Sequence, residues 1–130
     1  MEFTLSALTA FRDNYIWLLS RGAQALVVDP GDAAPVKHAL AERGLELEAV
    51  LVTHHHADHM GGAAQLATEY ACPVYGPARE RIEAVTLALR EGEQVVLPKL
   101  GAYFRVLDIP GHTAGHIAYE GHGIMFCGDT

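Results

Sequence analysis

The stretch "LEAVLVTHHHADHMGGAAQLATEY", residues 47–70, constrains this chain more than any other. An apolar run of strand length, Leu47 to Thr53, stops at four histidines and an aspartate. After two glycines an apolar helical repeat begins, with Ala63, Leu66, Ala67 and Tyr70 at helical spacing. Near-continuous rather than alternating apolar character predicts a strand covered on both faces. Strand, polar loop and helix in that order place the histidines at a strand's C-terminal end, where α/β folds bind their ligands. The cluster is internal and broken by Ala57 and Asp58, so it does not read as an affinity tag.

The flanking sequence supports a mixed α/β layered fold. "EFTLSAL" alternates Phe3, Leu5 and Ala7 on one face, as a half-buried strand does. "YIWLLS" and "ALVVD" follow as strands joined across "RGAQ" in a hairpin. Asp32 is placed to N-cap a helix, with Pro35 in its first turn, Gly44 just past its end, and Val36, Ala39 and Leu40 as its buried stripe. Further strands are expected in "PVYGP", "QVVLP" and "YFRVLDIP", and a closing hairpin in "HIAYE–GHG–IMFCGD". Residues 78–91 read as loop with some helix.

With 130 residues, half of them apolar and 19% charged, the chain has the length and composition of one globular domain. No apolar run reaches the roughly 18–20 residues that span a bilayer. The N-terminus lacks a basic region before an apolar one, so a secretory signal is not expected and a cytoplasmic location is. A formal net charge of −7 argues against a nucleic-acid partner, which needs a basic footprint. Cys72 and Cys127 do not form a disulfide framework.

Three stretches carry chemistry. In the first, His54 and His56 stand two apart and can point the same way from an extended backbone, while Asp58 and His59 follow where the chain turns. Two nitrogens for one metal ion, and a carboxylate plus a nitrogen for a second, is what this spacing offers. Imidazole and carboxylate suit zinc, and also iron or manganese. His55 points away on alternation. In "IPGHTAGH" a Pro110–Gly111 turn puts His112 at the tip of a loop after a strand, and "MFCGDT" puts Asp129 just past another. His116 opens a strand, where ligation and a supporting role are both open; His38 and His122 read as solvated. Asp29, at the end of "VVDPG", reads either as a turn residue or as a carboxylate that holds a ligand histidine or the metal loop by hydrogen bonds. No G-x-S-x-G elbow or other nucleophilic triad competes with this reading.

T-H-x-H-x-D-H, then G-H-T-x-G-H, then G-D-T, in this order, resembles the metallo-β-lactamase superfamily. Within it, "DNYIWLL", "VVDPGDAAPV", "LVTHHHADHMGG", "VYGP", "IPGHTAGHI" and "MFCGDT" look most like the bacterial glyoxalase II (hydroxyacylglutathione hydrolase) family. The resemblance implies an α/β fold, the N-terminal part of an αββα sandwich with two divalent metal ions, zinc foremost, at one edge. It implies that His54, His56 and His112 hold the first ion, Asp58 and His59 the second, and that Asp129 bridges both. Asp58 and Asp129 are then the residues closest to the chemistry, with Asp58 able to orient the nucleophile. The implied substrate is a glutathione thiolester, S-D-lactoylglutathione, cleaved to D-lactate and glutathione in methylglyoxal detoxification. The family pattern continues beyond G-D-T with another metal-ligating histidine and a largely helical glutathione-binding region. Residues 1–130 are therefore expected to be the N-terminal, metal-binding part, with part of one apolar face uncovered. The alternatives are a mononuclear iron persulfide dioxygenase of the same superfamily, or an inactive fragment that binds one metal or none.

Overall fold

The computed structural model describes residues 2–10, 14–54, 62–80, 82, 84–109 and 115–127. The chain opens as an antiparallel meander of β1 (Thr4–Ala10), β2 (Asn14–Arg21) and β3 (Gln24–Val28). The β2–β3 turn uses Gly22 at φ 63°, a left-handed conformation that costs glycine nothing. Helix α1 (Ala33–Arg43) starts where the Asp32 carboxylate accepts from the Ala34 N–H at 3.1 Å. It ends at Gly44, φ 63°, whose N–H returns to the Ala41 carbonyl. The chain then enters β4 (Glu46–Leu51), parallel to β3, and crosses through α2 (Ala63–Tyr70) to β5 (Val74–Pro77).

These strands and β6 (Leu87–Leu89) form a six-stranded sheet in the order β1-β2-β3-β4-β5-β6. The described residues of 78–91 thus contribute a parallel edge strand rather than the helix considered above. Three residues, of which Leu87 and Ala88 are exposed, are too few to show a period. A second, antiparallel sheet has the order β10-β9-β8-β7, built from β7 (Gln94–Leu97), β8 (Ala102–Asp108), β9 (Ile117–Gly121) and β10 (Ile124–Phe126).

Two apolar layers hold these parts together. Ala25, Val27, Val50 and Val52 face the helices and meet Val36, Leu40 and Leu66. Leu26, Val28, Ala49 and Leu51 point the other way, against Phe104, Val106, Ile117 and Tyr119 of the second sheet. The run from Ala49 to Val52 is fully buried because it is covered on both faces. A register shift opposite Ala25/Leu26 lets Leu47 share the helix face with Val50. Glu48, at that bulge, accepts from the Lys99 and Leu100 N–H groups at 3.1 and 2.7 Å, tying the first sheet to the β7–β8 turn.

The described residues make three layers, helices on sheet on sheet. Val96 and Tyr103, on the outer face of the second sheet, are 59% and 57% exposed. The expected half-burial of Leu5 and Ala7 is not seen. They pair with Leu19 and Trp17 on the face toward the second sheet, yet Leu5 is 43% exposed and Ala7 is also open. The second sheet covers Leu19 but not these outer positions, so Leu5 and Trp17 line an open groove with Met125 and Phe126. On β1 it is Leu8, on the opposite face, that packs into the core.

Candidate metal centre

Strand direction alone brings the motif-bearing ends together. β3 and β4 are parallel with Val28 opposite Leu51, so Asp29 and the segment Val52–His54 leave the sheet side by side. In the second sheet β8 ends at Asp108 opposite Ile117, and β10 returns to Phe126 opposite Tyr119, toward the same end. The two ends are stitched across the sandwich. The Ile117 N–H donates to the Thr53 carbonyl at 2.9 Å, and the buried Tyr119 hydroxyl donates to the Val52 carbonyl at 2.7 Å. Burial, with the charge of Asp29 adding to it, pushes the Tyr119 phenol well above its ordinary pKa, so it remains a donor.

Asp29 is buried and has φ 53°, a left-handed conformation that aspartate tolerates better than most residues. Its Oδ1 accepts from the Thr53 N–H at 2.8 Å and its Oδ2 from the Thr53 hydroxyl at 2.7 Å. The same hydroxyl lies 2.8 Å from Nδ1 of His54, which is fully buried. Asp29 therefore grips the backbone and side chain of the residue just before the first histidine. At the far end of the histidine segment the Gly62 N–H donates to the Pro30 carbonyl at 3.0 Å. A Cβ on Gly62 would sit 2.7 Å from Pro30 O, Asp32 C and Ala33 N, so only glycine permits this approach. The "DPGDA" turn thus holds both Thr53 and Gly62, described residues on either side of 55–61.

The described residues on either side of 110–114 are anchored as well. The Ile109 N–H donates to the His116 carbonyl at 2.9 Å. Gly115 N–H donates to Glu80 Oε2 at 3.0 Å, and a Cβ on Gly115 would collide with the Glu80 side chain. His116 is buried, with its ring centroid 4.6 Å from that of His54.

Of the candidate ligands, His54 is described. His56, Asp58, His59, His112 and Asp129, with His55, lie outside the described residues. Among the described residues no three metal-ligating side chains converge. What the described part offers is a test of fit. Metal-ligating histidines characteristically engage their other ring nitrogen with a hydrogen-bonding group, and the Nδ1 of His54 meets a hydroxyl held by a buried carboxylate. His54, the described candidate, is thus held in the way a metal-ligating histidine is held.

Thr53, Tyr119 and Glu80 were not singled out from the sequence. Thr53 alone had a local signal, a polar residue closing an apolar strand immediately before the first histidine. His122 is also more than a solvated residue: although exposed, its Nε2 accepts from the Tyr103 N–H at 3.0 Å, and its ring packs on Phe3 and Tyr103 at 4.8 Å. His38 remains at the surface beside Glu42.

The family model described as the metallo-beta-lactamase superfamily matches residues 10–130. A hydroxyacylglutathione hydrolase from Nitrosomonas eutropha is 53% identical over 121 residues, covering 93% of this chain and 48% of that protein. One from Dechloromonas aromatica is 51% identical over 126 residues, covering 97% of this chain and 47% of its own length. The chain spans about half the length of these relatives. Among solved structures, ETHE1 from Myxococcus xanthus aligns with a TM-score of 0.77 at 28% identity, over 93% of this chain and 54% of that one. A family match over residues 10–130, on a sandwich of a mixed and an antiparallel sheet, establishes that this chain belongs to the metallo-beta-lactamase superfamily.

Proposed function

We propose that this chain is the metal-binding half of a hydroxyacylglutathione hydrolase, which cleaves S-D-lactoylglutathione to D-lactate and glutathione in methylglyoxal detoxification. The observation that carries this reading is 53% identity, spread over 93% of the chain, to a protein of that name. In this reading His54, His56 and His112 would hold one divalent ion, Asp58 and His59 a second, and Asp129 both. Zinc is the first candidate, with iron and manganese also suited to imidazole and carboxylate.

Two divalent ions bound there would supply Lewis acidity toward a water and a thiolester carbonyl oxygen. The chain's own residues do the rest. Asp29 and Thr53 hold the start of the histidine segment, and Pro30 and Gly62 hold its end. Glu80 holds Gly115, three residues after His112. Asp58 would orient the attacking nucleophile. The partner is a small anionic thiolester rather than nucleic acid. No helix among the described residues is long and apolar enough to cross a membrane, and a cytoplasmic location belongs to this proposal.

A chimera tests the reading: these 130 residues joined to the remaining half of the Nitrosomonas eutropha relative. Two zinc ions per chain, with release of free thiol from S-D-lactoylglutathione, is the expected result. A folded chimera that carries both ions and releases no thiol refutes the substrate. One iron per chain, with oxygen uptake on a glutathione persulfide, would instead establish the mononuclear dioxygenase reading.

A further inference from the structure

The hydrogen bonds around Thr53 can be assigned a direction, because a hydroxyl has one proton. The Asp29 carboxylate receives the Thr53 N–H on Oδ1 and the Thr53 hydroxyl proton on Oδ2. With its proton committed to Asp29, Thr53 Oγ1 can meet His54 Nδ1 at 2.8 Å only as an acceptor. The ring must then carry its proton on Nδ1. In the neutral imidazole that leaves the lone pair on Nε2, the nitrogen remote from this chain of bonds.

We propose that Thr53 is a positioning residue that sets the tautomer of His54, transmitting the orientation of Asp29 to the ring and making Nε2 its ligating nitrogen. The link from tautomer to ligation rests on the metal-site reading above, whereas the tautomer itself does not. The position is suited to the task. Asp29, Thr53 and His54 are all buried, so water does not compete for these bonds. Asp29 N–H is itself fixed to the Leu51 carbonyl at 2.9 Å, and the Thr53 carbonyl accepts from Ile117 at 2.9 Å. The hydroxyl is thus held from both sheets, and a serine could reproduce its bonds where a valine of the same shape could not.

The experiment uses the metal-free 130-residue chain with nitrogen-15 in its histidines. Long-range proton–nitrogen correlation spectra, taken at mildly alkaline pH, report which nitrogen of each ring is protonated. His54 should show a protonated Nδ1 and a bare Nε2. Thr53→Val should lose that single form, and Thr53→Ser should keep it. Zinc titration of the same three proteins should show affinity reduced about 10–100-fold in Thr53→Val and restored in Thr53→Ser. A proton on Nε2 of His54 in the parent chain overturns the proposal, as does a Thr53→Val variant with unchanged tautomer and affinity. If the valine variant does not fold, the parent and serine spectra still decide the tautomer. The predicted tautomer in a chain that takes up no zinc would sink the metal-site reading and leave the hydrogen-bond assignment standing.

Discussion

Tyr119→Phe isolates one bond that joins the two sheets beside the candidate centre. The Tyr119 ring is fully buried among Phe104, Val106 and Leu51, and a phenylalanine fills the same space without a cavity. What is lost is the hydroxyl, which donates to the Val52 carbonyl at 2.7 Å and approaches the Tyr75 carbonyl at 3.3 Å. A net hydrogen bond contributes about 0.5–1.5 kcal/mol, and a buried acceptor left without its donor costs about 1–3 kcal/mol. Because a carbonyl has a second lone pair, the lower half of that range applies, and the variant should lose about 1–2 kcal/mol. Urea denaturation followed by far-ultraviolet circular dichroism should show a lower midpoint at unchanged slope. In a chain of this size the melting temperature should fall by roughly 3–10 °C.

The pH dependence provides an independent arm. The Tyr119 phenol has a raised pKa when folded, so above its unfolded value of about 10 the unfolded chain binds fewer protons than the folded one. Stability contributed by this group is complete below that value and falls as pH rises through it toward the folded pKa. Tyr119→Phe should therefore flatten the alkaline decline. A midpoint within error of the parent, or an alkaline arm unchanged by the substitution, would refute the bond as the link between the sheets.

Asp29→Asn keeps the shape but turns an acceptor toward Thr53 into a donor. It should cost about 1–3 kcal/mol in urea and weaken zinc binding by about tenfold or more, measured by competition with a chelator. Gly62→Ala forces a Cβ to within 2.7 Å of three backbone atoms and should destabilise by about 1–3 kcal/mol, read from the same urea curves. Burial pushes the Cys72 thiol up to about 11 from 9.0, so its contribution is present below 9.0 and lost as pH rises toward 11. Cys72→Ala should remove that early alkaline loss from a stability–pH profile. Asp129→Ala in the chimera should cut thiol release severely while leaving the circular dichroism spectrum unchanged; near-normal turnover would exclude a bridging role.

Much of the fold was legible because its signals are local. The helix from Asp32 to Gly44 has a side-chain cap at one end and a left-handed glycine at the other, and both act within a few residues. The buried run Ala49–Val52 announced a strand covered on both faces by composition alone. The T-H-x-H-x-D-H pattern was equally readable, since the motif's spacing is carried by the chain itself. Less legible was anything that depended on coverage from afar. Leu5 alternates as a core residue does, but its exposure depends on how far the second sheet reaches, and β6 exists only because β5 lies beside it.

By itself, then, the sequence pointed to the order of strands and helices apart from β6, to the caps and turns, and, through its motifs, to the candidate ligands. Each of those follows from interactions between residues a few positions apart. Only the tertiary structure decided that Asp29 grips Thr53 from 24 residues away, that Tyr119 reaches Val52 from 67 away, and that His116 stacks beside His54. Those contacts require the parallel register of β3 and β4, the bulge at Glu48 and the stacking of two sheets. Register and stacking are properties of the assembled core, where many weak apolar contacts together choose one alignment.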